Sequence, residues 1–162
     1  MSNLRILMVN AVIAAIYAIL TIVLAPVSYG PVQIRFSEFM TLFAFSDRKW
    51  IPGLVAGCFL ANMGSPFGLP DMLVGTTATF LATVVMSRCA HLFVASLAPV
   101  FFNGVLIALE LAYLTEIPEE ISLWAMMAYI GAGEFLSVSV SGILIYKGLL
   151  KNKGFARYFQ KA

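Results

Sequence analysis

The stretch LFVASLAPVFFNGVLIALELAYL, residues 92–114, carries a single ionisable side chain, Glu110, in a run long enough for a helix to cross about 30 Å of hydrocarbon. Apolar runs of helical length flank it on both sides: Leu4 to Ala25, Arg35 to Phe45, Trp50 to Met63, Asp71 to Ser87 and Glu119 to Leu150. Composition points the same way, with 61% hydrophobic and 11% charged residues and a mean hydropathy of +0.94. A soluble domain keeps about 25% of its residues charged so that its surface stays wet. The expected fold is therefore an all-α integral membrane protein, with lipid as the solvent for most of its surface.

The second and third runs are short, about 17 Å for eleven residues at 1.5 Å each, and could form a re-entrant hairpin. The turn between them, Ser46-Asp47-Arg48-Lys49, argues against this, because three charges at bilayer depth would cost a few kcal/mol each. Both runs are thus expected to cross, with local thinning making up the length. Six crossings place the termini on one side together with Arg5, Arg48, Lys49, Arg88, Lys147, Lys151, Lys153, Arg157 and Lys161, leaving Arg35 opposite. This positive-inside pattern makes the side of the termini cytoplasmic. The basic stretch Lys147 to Lys161 reads as an anchor to anionic lipid headgroups. Residues 1–162 form a single transmembrane domain in this reading, in the plasma membrane of a prokaryotic type of cell, without a cleaved signal, linker or internal repeat.

Two cysteines and one histidine cannot supply a zinc or iron–sulfur ligand set. Phosphate-binding and dinucleotide-binding glycine loops are absent from the sequence, as is a nucleophile elbow. Neither a metal nor a cofactor is expected, and the chain does not read as an enzyme.

Ionisable groups inside spans are functional candidates because lipid makes them costly. Arg35 and Glu38 open the second span from outside, Asn62 closes the third, Asp71 starts the fourth ahead of Thr76, Thr77 and Thr79, and Glu110 lies in the outer part of the fifth. Asn103 and Glu134 join them, so one half of the membrane collects polar groups in the manner of a pocket opening outward. Each has an alternative reading. Arg35 and Glu38, three apart, can neutralise each other; Asp71 after Pro70 resembles a helix N-cap; Asn62 and Asn103 can be interhelical hydrogen-bond glue, as Asn10 is expected to be in the inner half. Glu119 and Glu120 suit a helix's first turn, and His91 a solvated loop. Glu110 and Glu134 have no basic partner at pairing distance in sequence, so each either keeps its proton or is met by a cationic or donor-rich visitor.

The first helix repeats small residues at a spacing of four, Ala11 with Ala15 and Ala14 with Ala18, and Gly53 with Gly57 does the same on the third. Such stripes let helix backbones approach closely in lipid, either within the molecule or against a partner.

The segments Tyr29-Gly30-Pro31-Val32-Gln33-Ile34-Arg35-Phe36-Ser37-Glu38, Gly53 to Asn62, Asp71 with Gly75 and Thr79, Phe102-Asn103-Gly104, Glu110-Leu111-Ala112-Tyr113 and Gly133-Glu134 together resemble the QueT family of queuosine-precursor uptake proteins, S components of energy-coupling-factor (ECF) transporters. The resemblance spans nearly all six expected helices; the Gln-x-Arg-x-Ser-Glu run and the late Gly-Glu are its specific parts. It implies a small-molecule substrate of the 7-deazaguanine type, most simply 7-aminomethyl-7-deazaguanine (preQ1), and no nucleic-acid partner. It further implies docking through an alanine stripe on a transmembrane T component driven by two ATPase subunits. The substrate-binding set is then Arg35, Glu38, Asn62, Asp71, Asn103, Glu110 and Glu134, and the docking set Ala11, Ala14, Ala15 and Ala18. Tyr29, Tyr113 or Tyr129 could stack on the ring, and Val27 to Ile34 would be the outer gate. Thiamine or another cationic vitamin as substrate, a stand-alone proton relay through Glu110 and Glu134, and a membrane-embedded enzyme are the rival readings.

Overall fold

A computed structural model describes residues 2–28, 34–114 and 122–160. The described residues are helical and contain no strand. The elements are α1 (Asn3–Val23), α2 (Ala25–Ser28), a 3₁₀ segment (Phe36–Leu42) running into α3 (Phe43–Ser46), a 3₁₀ turn (Arg48–Trp50), α4 (Ile51–Asn62), α5 (Leu69–Met86), α6 (Leu92–Leu114), α7 (Leu123–Glu134), a π-helical stretch (Phe135–Gly142), α8 (Ile143–Leu150) and α9 (Lys153–Phe159). Among the described residues, four helices are long and apolar enough to cross a membrane: Asn3–Val23, Leu69–Met86, Leu92–Leu114 and the continuous Leu123–Leu150. The second and third apolar runs fall short of that length. The second differs from an α-helix in a way that matters: its 3₁₀ turns rise about 2.0 Å per residue, so Phe36–Ser46 reaches about 20 Å instead of about 17 Å.

Close approach of α1 and α4 organises one side. A Cβ on Gly57 would stand 2.8 Å from Tyr17 Cβ and 3.0 Å from Ala14 Cα, and one on Gly53 would stand 2.6 Å from the Asn10 carbonyl oxygen. The glycine pair therefore works inside the molecule. Asn10 closes the contact, as the glue expected of it, donating to the Lys49 carbonyl at 3.0 Å and accepting from Gly53 N–H at 2.7 Å. The small-residue stripe on α1 consequently divides. Ala14 and Ala18 are buried, while Ala11 and Ala15 lie on the exposed face. Ala14 packs against Gly57 of α4 and Ala18 is buried as well, so of the anticipated docking set only Ala11 and Ala15 are exposed.

The C-terminal stretch packs onto the rest of the molecule. Asn152 caps α9 by accepting from Gly154 and Phe155 N–H, and Phe155, Tyr158 and Phe159 sit at helical spacing on one face. Phe159 packs against Phe43 and Trp50 with ring centroids at 4.4 and 5.1 Å. Tyr146 donates to the Phe159 carbonyl at 2.6 Å, and Trp50 Nε1 to the Tyr158 carbonyl at 3.3 Å. These contacts bring α9, the Arg48–Trp50 turn and the first turns of α1 to one end, which is also the basic end.

Candidate functional site

Away from that end, seven polar residues occupy the interior: Arg35, Glu38, Asn62, Asp71, Asn103, Glu110 and Glu134, none more than 7% exposed. Arg35 precedes the 3₁₀ segment with an extended backbone (φ −98°, ψ 96°). Its Nη2 stands 3.7 Å from Asp71 Oδ2, and its Nε donates to the Ser28 carbonyl at 3.3 Å. The ion pair is thus Arg35 with Asp71, not the local pair with Glu38 that the spacing of three suggests. Asp71 is not the N-cap of α5 either. That position belongs to Gly68, whose φ of 66° favours glycine, and Asp71 follows in the first turn.

Glu38 finds its partner on α1. Tyr17, fully buried, donates its hydroxyl to Glu38 Oε1. One turn on, the Thr21 and Ser37 hydroxyls are hydrogen-bonded at 2.6 Å, and Thr41 Oγ1 donates to the Glu38 carbonyl at 2.6 Å. Asn62 donates to the Asp71 carbonyl at 3.1 Å and to Cys58 Sγ at 3.5 Å. Gly75 makes room for it, since a Cβ there would come 2.5 Å from Asn62 Nδ2. Thr79 also donates to Cys58 Sγ, at 3.2 Å.

The later helices complete the cluster. Gly104 and Gly131 meet where α6 and α7 cross, a Cβ on the first lying 3.4 Å from the Cα of the second. Glu134, one turn beyond Gly131, is within electrostatic range of Glu38 and Arg35 and lies beside Asn103. Glu110 is within range of Asp71 and Arg35. All seven anticipated residues are therefore brought together.

Several atoms of the carboxylates and amides are left over. Among the described residues, Glu38 Oε2, both oxygens of Glu110, Glu134 Oε2, Asn62 Oδ1 and Asn103 Nδ2 are buried without a hydrogen bond. Native interiors leave few such groups, and each costs about 1–3 kcal/mol. Six such atoms, on five residues, gather in this cluster.

Two of the tyrosines anticipated as stacking partners are not in this cluster: Tyr113 is 90% exposed and Tyr129 is 56% exposed. Tyr29, most of the anticipated gate Val27 to Ile34, and Glu116, Glu119 and Glu120 lie outside the described residues. Tyr17 and Cys58, which sequence reading passed over, lie within the cluster. Their only signal is a hydroxyl and a thiol inside otherwise apolar helices, on the faces that carry Ala14 and Gly57. The outer face of α1 has a different character: Met8, Val12 and Ile16 line an apolar groove of about 440 Å³ with Phe39, Leu149 and Phe155.

Residues 7–151 match the profile of a family described as QueT transporter. The queuosine precursor transporter QueT of Lactococcus lactis subsp. cremoris (strain MG1363) is 33% identical over 156 residues, covering 85% of this chain and 88% of that protein. No solved structure matches the chain.

Proposed function

From the premise that the chain belongs to the QueT transporter family, we propose that it is the substrate-binding S component of an ECF transporter, taking up a queuosine precursor of the preQ1 type from outside the cell. The observation that carries this reading concerns the carboxylate and amide atoms of the cluster that are buried without a hydrogen bond: five acceptors on Glu38, Glu110, Glu134 and Asn62 against one amide donor on Asn103. A complementary ligand is rich in N–H donors, carries one carbonyl acceptor and bears positive charge. A 7-deazaguanine with an aminomethyl arm has these features: an N1–H and exocyclic amine beside O6, and an ammonium at the other end. A transporter needs only to bind and release such a molecule, so no residue is assigned a catalytic role.

The same reading has six segments crossing the plasma membrane as one domain, with both termini cytoplasmic. Its support is the gathering of α1's start, the Arg48–Trp50 turn and α9 at one end, with Asn62 and Asp71 joined at the other. Ala11 and Ala15, on the exposed face of α1, form the docking surface for a T component that works with two ATPase subunits.

Thermal unfolding in detergent with preQ1, guanine, thiamine or no ligand tests the substrate. A ligand at 100 times its Kd should stabilise the protein by about 2.7 kcal/mol. A shift with preQ1 is expected; a shift with thiamine alone replaces the substrate, and no shift with any of the three sinks the reading. Ala15→Trp is expected to spare binding while abolishing uptake by the reconstituted complex, and surviving uptake would remove the docking assignment.

A further inference from the structure

The unpartnered atoms are not spread evenly through the cluster. Asn103 Nδ2, the one amide donor, lies beside the Glu134 carboxylate, and Glu134 is in turn within electrostatic range of Glu38. Both carboxylates are almost fully buried, Glu38 at 0% and Glu134 at 1% exposed. Tyr17 already occupies one Glu38 oxygen, leaving Oε2. Glu110 stands apart: seven residues beyond Asn103 on α6, it is two turns or about 10 Å along the helix. Both of its oxygens are unpartnered, its charged neighbours Asp71 and Arg35 are paired with each other, and its exposure of 7% is the highest of the seven.

We infer that the cluster is divided into two subsites: Glu134, Asn103 and Glu38 read the donor-and-acceptor edge of the ring, and Glu110 holds the ammonium. This inference rests on the reading of the cluster as a deazaguanine site. Two physical arguments converge on it. The ring edge alternates an acceptor, O6, with donors, N1–H and the exocyclic amine, and so needs a donor and acceptors side by side; among the amide and carboxylate atoms left without a hydrogen bond, only the Asn103 end sets a donor beside acceptors. The ammonium offers donors alone and suits a carboxylate with both oxygens open. Desolvation favours the same orientation, because the neutral edge loses less than the cation on reaching the deepest position. The opposite orientation would leave Asn103 Nδ2 facing an ammonium, donor against donor.

Ligand titration with preQ1 and with 7-deazaguanine, which lacks the aminomethyl arm, separates the subsites. In the wild type preQ1 should bind at least tenfold more tightly than 7-deazaguanine. Glu110→Gln should lower preQ1 affinity at least tenfold and leave 7-deazaguanine within about twofold, so that the preference collapses. Glu134→Gln should weaken both ligands by a similar factor and keep the preference, and Asn103→Leu, which removes the donor without adding charge, should behave like it if the Glu134 variant does not fold. Because the preference is a ratio, it does not depend on how much of each preparation is folded. The reverse pattern, Glu110→Gln weakening both ligands equally while Glu134→Gln or Asn103→Leu erases the preference, would overturn the assignment. A wild type that binds neither ligand would instead remove the proposed substrate on which the assignment depends.

Discussion

The two ends of this molecule treat buried polar groups in opposite ways. At the basic end, the Trp50 indole and the Tyr146 hydroxyl both reach backbone carbonyls of the last helix, inside a cluster of Phe43, Phe155 and Phe159 rings. At the other, Glu38, Glu110, Glu134, Asn62 and Asn103 keep unpartnered atoms in the interior. The first arrangement is complete in itself and holds helices together. In the proposed reading the second gives up stability in the empty state so that a ligand can restore it, which is how a binding site differs from a core even when both are buried.

The largest effect should come from breaking the complete end. Phe159→Ala removes a ring that is 7% exposed and touches Phe43, Trp50 and Phe155. Truncating a buried Phe costs about 3–5 kcal/mol. Thermal unfolding should fall accordingly, while ligand affinity of the protein that remains folded should match the wild type. A large loss of affinity at equal folded fraction would mean that the two ends are one functional unit and that the contrast is false.

The converse change sharpens the contrast from the other side. Glu110→Leu replaces two unpartnered oxygens with methyl groups of similar size, and the ligand-free protein should become more stable by about 1 kcal/mol, since an unsatisfied polar group of that kind costs about 1–3 kcal/mol. Stabilisation by preQ1 should shrink in the same variant. A ligand-free protein less stable than wild type would show that Glu110 has a structural partner and belongs with the complete end.

How much of this was legible in the sequence depends on how local the deciding interaction is. The long spans were legible: Leu92 to Leu114 as read is α6, and the first and fourth runs differ from α1 and α5 by one or two residues at each end. So was the set of polar residues that gather, because lipid leaves intramembrane carboxylates few other reasons to exist. Pairing was not legible. Arg35 with Glu38 is the natural reading at a spacing of three, but it assumes a helix already under way at Arg35, whereas the backbone there is extended and the guanidinium pairs with Asp71 instead. The alanine stripe looked uniform along α1, whereas the side taken by Gly53 and Gly57 decides which alanines remain outside. The last helix was read only as a basic anchor to lipid headgroups because Lys153 and Arg157 outweigh its aromatic face in composition. Tyr17 was hidden for a similar reason: one hydroxyl in a run of alanines and isoleucines gives no sign that a carboxylate on another segment waits for it.

The smallest expected effect sits at the rim of the complete end. Asp47 accepts from Lys49 N–H at 3.1 Å and pairs with the Lys49 ammonium across a turn that is partly exposed. Burial pushes its carboxyl up, but the hydrogen bonds and charge of Lys49, with Arg48 behind them, outweigh this and hold it below the ordinary aspartate value. A carboxyl depressed in the folded state stabilises that state above the ordinary value, about pH 4, and loses its contribution as pH falls through the depressed one. Asp47→Asn should therefore lower stability at neutral pH by no more than about 1 kcal/mol, the scale of an exposed pair. The gap between variant and wild type should close as the pH is taken below about 4. A gap that persisted unchanged in acid would locate the role of Asp47 in the shape of the turn rather than in its charge, and the rim would then belong to the packed cluster behind it.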